Sequence, residues 1–228
     1  MTMVVIAGLV FVGTHFLLSH PLRAPLVAQL GERGFLILYS LVAIVTLGWL
    51  VIAYRAAPMT PMLWPVGDGL WAIVTVMMLV ASILFIGSLI GNPALPDPTD
   101  RDKPAPATAR GVFAITRHPM MWAFAIWGLC HIAIYPIVAN IVLAGAIIVL
   151  ALVGAALQDV KKQRLQPESW RDWERRTSYW PFVAIASGRA RFGGFRGHDL
   201  GGGLVIWLAA TWAHMPLAGW AAGVWQWL

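Results

Sequence analysis

Residues 35–54 read FLILYSLVAIVTLGWLVIAY, twenty consecutive positions without a charged side chain. A helix that crosses the hydrocarbon core of a bilayer needs about 20 mostly apolar residues, so this stretch reads as a membrane span. Working outward from it, five further stretches qualify: 3–19, 69–90, 119–135, 137–157 and 204–228. The first and the 119–135 stretch are short and would stand nearly upright. Tyr135-Pro136 separates the fourth span from the fifth and fits a tight hairpin, because proline starts a helix well and continues one badly. No basic segment precedes the first apolar run and no small-x-small cleavage site follows it, so it reads as a retained helix.

Composition agrees. Of 228 residues 59% are apolar and 11% charged, whereas an ordinary soluble domain carries about 25% charged residues. A soluble fold of this size cannot hide that much apolar surface. A soluble enzyme, a disordered chain and a disulfide-stapled domain are excluded, the last because Cys130 is the single cysteine. No Walker loop, dinucleotide fingerprint, internal repeat or zinc spacing is present. The expected fold is all-α: one polytopic bundle of about six transmembrane helices over residues 1–228, with an amphipathic helix on the cytoplasmic side.

Charge sets the expected orientation. Fifteen of the 16 Lys and Arg residues fall in alternate connecting segments, and only Arg55 falls in the others. The positive-inside rule puts the rich side in the cytoplasm and both termini outside, as expected of a multi-pass protein of the bacterial inner membrane. Two cytoplasmic segments are long. Residues 92–110 are rich in Pro and Asp and read as a turn-rich loop or linker. Residues 167–180 read as a helix in the headgroup layer, since Trp170, Trp173, Thr177 and Trp180 recur at spacings of three and four. Residues 187–203 are Gly-rich and basic and read as a loop facing membrane phospholipids; no nucleic-acid partner is expected.

Ionisable residues inside a membrane are costly and become functional candidates. The spans carry three, all histidines: His15, His131 and His214. His15 lies 14 residues from the N-terminus, His131 14 beyond Arg117 and His214 15 beyond Asp199. At 1.5 Å per residue each stands about 21 Å from a charged end, near the midplane. Neutral imidazole suits iron in an apolar medium, and two histidines on facing helices can bracket one haem. The alternative is that each bonds a neighbouring carbonyl and holds helices together. Phe124, Trp127 and Gly128 share a face with His131, whereas Cys130 points about 100° away. Pro216 kinks the last span and frees a carbonyl near Trp212, which suits a structural hydrogen bond from His214. No C-x-x-C-H motif is present, which excludes covalent haem attachment. Thr116-Arg117-His118-Pro119 opens the fourth span. Free backbone N–H groups, the helix dipole and Arg117 make Arg117 and His118 a candidate anion or substrate site; the alternative is a cationic interface anchor.

His15-Phe16, Ser19-His20-Pro21-Leu22-Arg23, Gly34-Phe35, Tyr39-Ser40, Gly111-Val112-Phe113, Thr116-Arg117-His118-Pro119, Trp127-Gly128 and His131 together resemble the NnrU family of bacterial membrane proteins, over roughly residues 4–185. The family's name reflects a genetic link to nitrite and nitric oxide reduction, and the family includes the 15-cis-ζ-carotene isomerase. That resemblance implies haem b, with the isomerase's two haem-associated histidines falling on His15 and His131. The isomerase's cysteine falls near Gly128, so Cys130 is not its equivalent. Arg117-His118-Pro119 followed by Gln158-Asp159, Trp170, Trp173 and Trp180-Pro181 also resembles the C-terminal half of isoprenylcysteine carboxyl methyltransferases. The sequence departs from them at Met120-Met121-Trp122 and at Gln158-Asp159. Three functions are therefore expected to compete. The leading one is haem-dependent isomerisation or redox chemistry on a lipophilic molecule. The others are an S-adenosylmethionine-dependent methyltransferase and a non-enzymatic accessory factor for a respiratory nitrogen-oxide reductase.

Overall fold

The computed structural model describes residues 1–95 and 106–228; the central part of the loop expected at 92–110 lies outside the described residues. Six long helices make the bundle: α1 (Thr2–Ser19), α2 (Arg23–Arg55), α3 (Asp68–Gly87), α5 (Pro119–Ile134), α6 (Val138–Leu165) and α9 (Gly197–Ala218). Five are long and apolar enough to cross a membrane, and α5 is a shorter apolar helix of 16 residues. Short helices α4 (Val112–Ile115), α7 (Pro167–Arg176) and α8 (Val183–Ala186) gather at the end of the bundle where most basic residues lie. Among the described residues there is no strand. The structure is a polytopic helical membrane bundle.

Neighbours pack in the order α2, α1, α6, α5, α3, α9. Thus α1 and α5 flank α6 without packing on each other, and the space between them is floored by α6. Small residues set the closest approaches. A Cβ on Gly128 of α5 would stand 2.6 Å from Ile148 of α6, and one on Gly203 of α9 would stand 2.7 Å from Cα of Ile83 on α3. α2 breaks at Gly31, whose φ of 69° and ψ of 169° only glycine adopts readily. Its first turns therefore run at a different angle from its spanning part.

Three expectations need correction. The last span covers Gly197–Ala218, not 204–228. Gly219 caps it in the left-handed conformation at φ 80°, and the chain folds back so that the Trp225 indole N–H donates to Thr211 Oγ1 at 3.2 Å. Residues 197–203 are not a loop: they begin α9, and Gly202 and Gly203 let it lie close on α3. Asp199, fully buried, caps this start by accepting from the Arg196 backbone N–H at 3.0 Å and from its guanidinium. The third concerns α7, which ends at Arg176. Its Trp170 and Trp173 are buried against Val112, Phe113, Ile115 and Ala123 instead of facing headgroups. The tryptophan stripe marks a protein–protein face inside one chain, which periodicity cannot tell from a lipid-facing one.

Gly203→Leu is expected to lower the stability of the detergent-solubilised protein by about 1–3 kcal/mol, because the side chain must push the α3 backbone away. Gly201→Leu, with nothing within 4 Å of its Cβ position, is the control and should leave thermal unfolding unchanged or raise it. Equal effects at both positions would contradict the close α3–α9 packing.

Candidate functional site

A cavity of about 1060 Å³ opens between α1, α2, α5 and α6. Its deep wall is aromatic: Phe11 and Phe16 from α1, Tyr39 from α2, Phe124 and Trp127 from α5. His15 lies among them, 4.5 Å from the Phe11 ring and 5.4 Å from the Tyr39 ring, both edge-on. Toward the basic end the lining turns polar, with Ser19, Arg23, Gln158, Lys161 and Lys162. A large apolar pocket with a few convergent polar groups is where a ligand is held most effectively.

The backbone levels of His15 and His131 differ. Gly8 of α1 lies beside Val142 and Ala146 of α6, and Gly154 of α6 beside Phe16, so His15 stands near Ala151. The Asn140 side-chain amide donates to His131 O at 2.8 Å, so His131 stands nearer Asn140. That separation of about ten residues along α6 is roughly 15 Å. Distances counted from charged ends missed it, because charged residues do not mark where these helices end: His131 is in the last turn of α5. The side chains narrow the gap. α1 runs parallel to α6 and α5 antiparallel, and every Cα–Cβ bond leans toward its own helix N-terminus, so the two rings lean toward each other. His15 reaches back to Phe11 and His131 to Trp127, with ring centroids 4.1 Å apart in the second pair.

Both histidines are tied in the same way. Nδ1–H of His15 donates to Phe11 O at 2.6 Å, and Nδ1–H of His131 donates to Trp127 O at 2.8 Å. A proton on Nδ1 leaves Nε2 with its lone pair, which is the form that binds a metal. His214 repeats the arrangement with Ala210 O at 2.8 Å, and its ring is 6.1 Å from that of His131. The structure therefore pairs His131 with His214 at the far end of the bundle. His15 alone of the three lines the cavity, while Trp127, which does line it, stacks on His131. Cys130 is buried. Among the described residues no cluster of three or more His, Cys, Asp or Glu could hold a bare metal ion.

Arg117 and His118 form a different centre. Asp159 of α6 accepts from Arg117 Nε at 2.8 Å and from His118 Nε2 at 2.7 Å. Glu174 of α7 adds a longer contact to Arg117 at 3.6 Å. The His118 side chain is completely buried, under Trp170 and Tyr179. Thr116 Oγ1 and the Trp122 indole N–H both donate to Tyr179 O, at 2.7 and 2.9 Å. Arg117 and His118, read as a candidate anion site at the start of the fourth span, are thus both engaged by a carboxylate of the chain itself, Asp159. Asp159 was not singled out from the sequence for this role. A lone acid one turn before two lysines is a visible signal, but its partner lies 42 residues away and no spacing rule connects them. Beside this centre Tyr179 has its phenol pushed above the ordinary tyrosine value, chiefly by burial and secondly by the Asp159 charge.

The family model described as NnrU protein matches residues 3–222. No curated protein and no solved structure matches the chain.

Proposed function

The chain belongs to the NnrU family, and on that premise we propose that it binds haem b in the cavity between α1, α2, α5 and α6 and uses it on a lipophilic molecule in the bilayer. The observation that carries the reading is His15: it faces a cavity large enough for a macrocycle, among aromatic walls, with Nδ1 tied to Phe11 O and Nε2 left open. Haem bound there would supply an iron of changeable oxidation state, able to give or take electron density at a double bond. The chain's own part is to fix the imidazole tautomer and orientation through Phe11 O. Phe16, Tyr39 and Phe124 keep water from the deep wall. His131 offers a second imidazole with the same tautomer, reached when the Trp127 indole turns aside. Isomerisation or redox chemistry on a lipophilic substrate follows from this reading; a role beside a nitrogen-oxide reductase would use the same haem.

The methyltransferase reading is weaker, because Arg117 and His118 are engaged by Asp159. Calorimetry of the folded protein with millimolar S-adenosylmethionine should give no heat; saturable binding lost in Arg117→Ala would revive that reading. The direct test of the haem reading is an absorption spectrum after titration with haem. A Soret band that saturates at one haem per chain and is lost in His15→Ala supports it; a wild-type protein with no band removes it.

The proposed orientation places the Arg117, Lys161 and Trp170 end in the cytoplasm of a bacterial inner-membrane protein. A cysteine at Thr60, in the segment between α2 and α3, should react with an impermeant thiol reagent added outside intact cells. One at Leu165 should react only after lysis. The reverse pattern would contradict the orientation.

A further inference from the structure

We propose that the molecule taken up beside His15 is an amphiphile with a long acyl tail of one or two chains and an anionic head, a carboxylate or a phosphate, seated with its head at Lys161 and Lys162. The inference rests on the cavity reading above and names the chemical class of its lipophilic ligand.

The lining is segregated along α6. Ile147, Leu150, Ala151 and Gly154 floor the deep part, and Gln158, Lys161 and Lys162 form the mouth. From Ile147 to Lys161 is fourteen residues, about 21 Å at 1.5 Å per residue. That exceeds the roughly 15 Å that one leaflet contributes to a hydrocarbon core, so an extended acyl chain fits lengthwise.

The mouth is cationic, and its cations are not equally engaged. Arg23 is held by Glu32 at 2.9 Å, with its guanidinium donating to both carboxylate oxygens. Lys161 and Lys162 are half-buried, and neither has a carboxylate within ion-pair distance among the described residues. Lys162 faces the ring of Trp170, 5.8 Å from its Nζ, and Lys161 feels at longer range the charge of Glu32, which Arg23 already engages. Two adjacent half-buried ammonium groups repel each other and lose hydration. An anionic head relieves both costs with charge-assisted hydrogen bonds. A neutral hydrocarbon would leave both lysines as they are.

Native mass spectrometry of the full chain in a neutral detergent tests this, with dioleoyl phosphatidic acid, oleic acid and dioleoyl phosphatidylcholine as probes. One molecule per chain of at least one anionic probe should be retained at about tenfold lower concentration than phosphatidylcholine. Retention of oleic acid points to a carboxylate head, and retention of phosphatidic acid alone to a phosphate. The paired variant Lys161→Gln and Lys162→Gln should lose the preference, and Lys161→Arg with Lys162→Arg should keep it. Gly154→Leu fills the cavity floor, where only Phe16 lies within 4 Å of the new Cβ, and should lower retention of every probe. Equal retention of anionic and neutral probes overturns the proposal. So does a preference that survives in the paired Gln variant, which would make the lysines interface anchors, or retention unchanged by Gly154→Leu, which would put the lipid on the outer surface. Haem titration of the same samples separates the two readings. A Soret band without anionic preference would sink the amphiphile and leave the haem; a preference without a band would do the opposite.

Discussion

Asp159→Ala will cost the folded protein about 3–5 kcal/mol, the size expected when one partner of a buried ionic cluster is removed. The carboxylate accepts from both Arg117 and His118, whose side chains are 13% and 0% exposed. Without it a guanidinium is left buried with only the 3.6 Å contact to Glu174, and the His118 Nε2–H loses its acceptor. His118 Nδ1 already lacks a partner in the structure, so the imidazole would have none at all. The damage should spread. Asp159 joins α6 to the start of α5, and the residues beside Arg117 and His118 bond the 178–182 segment: Arg117 N–H donates to Ser178 O at 2.9 Å and Phe182 N–H to Ile115 O at 2.8 Å. Thermal unfolding in detergent should fall by several degrees or more, with early exposure of Trp170 and Trp173. Asp159→Asn keeps the shape and one acceptor and should lose less. An Asp159→Ala protein that melts with the wild type would show that the cluster is an accessory of the fold and not one of its joints.

The second large effect concerns the cavity. His15→Ala should weaken haem binding by well over tenfold, because of the three histidines in the spans it alone lines the cavity, with Nε2 free to bind a metal. His131→Ala should behave differently. Its ring stands behind Trp127, so its loss should leave haem bound through His15 and shift the ferric spectrum from six-coordinate low-spin toward five-coordinate high-spin. His214→Ala, which removes the His131 neighbour at 6.1 Å, should leave both the band and its position unchanged. Equal loss of haem in His15→Ala and His131→Ala would mean that the two imidazoles hold the haem equally, and not His15 first. A loss confined to His131→Ala would put the haem at the α5–α9 end and refute the cavity site.

Much of the architecture was legible because lipid leaves the sequence few choices. Spans such as 35–54 announce themselves by length alone. What failed to show was anything that depends on contacts between distant segments. The tryptophans of α7 have the spacing of an interfacial helix, and only the position of Phe113 turns them inward. Gly201-Gly202-Gly203 has loop composition, and only the backbone of Ile83 makes it the seat of a helix crossing. The histidines illustrate both sides. Their residue type and their spans singled out His15 and His131 as candidates, and the i−4 carbonyl that each engages is a local matter. Which histidine faces a cavity depends on the break at Gly31 and on the gap between α1 and α5, and neither has a sequence period. The Arg117-His118 pair read as a site for an incoming anion, and the fold had already supplied one from α6.

The most direct test of the central claim is the ferric absorption spectrum of the purified full-length protein after haem titration, wild type beside His15→Ala. The cavity account predicts a saturable Soret band at one haem per chain in the wild type, low-spin in position, and no saturable band in His15→Ala at the same haem concentrations. A wild type without a saturable band, or a band of undiminished size in a folded His15→Ala protein, would contradict it.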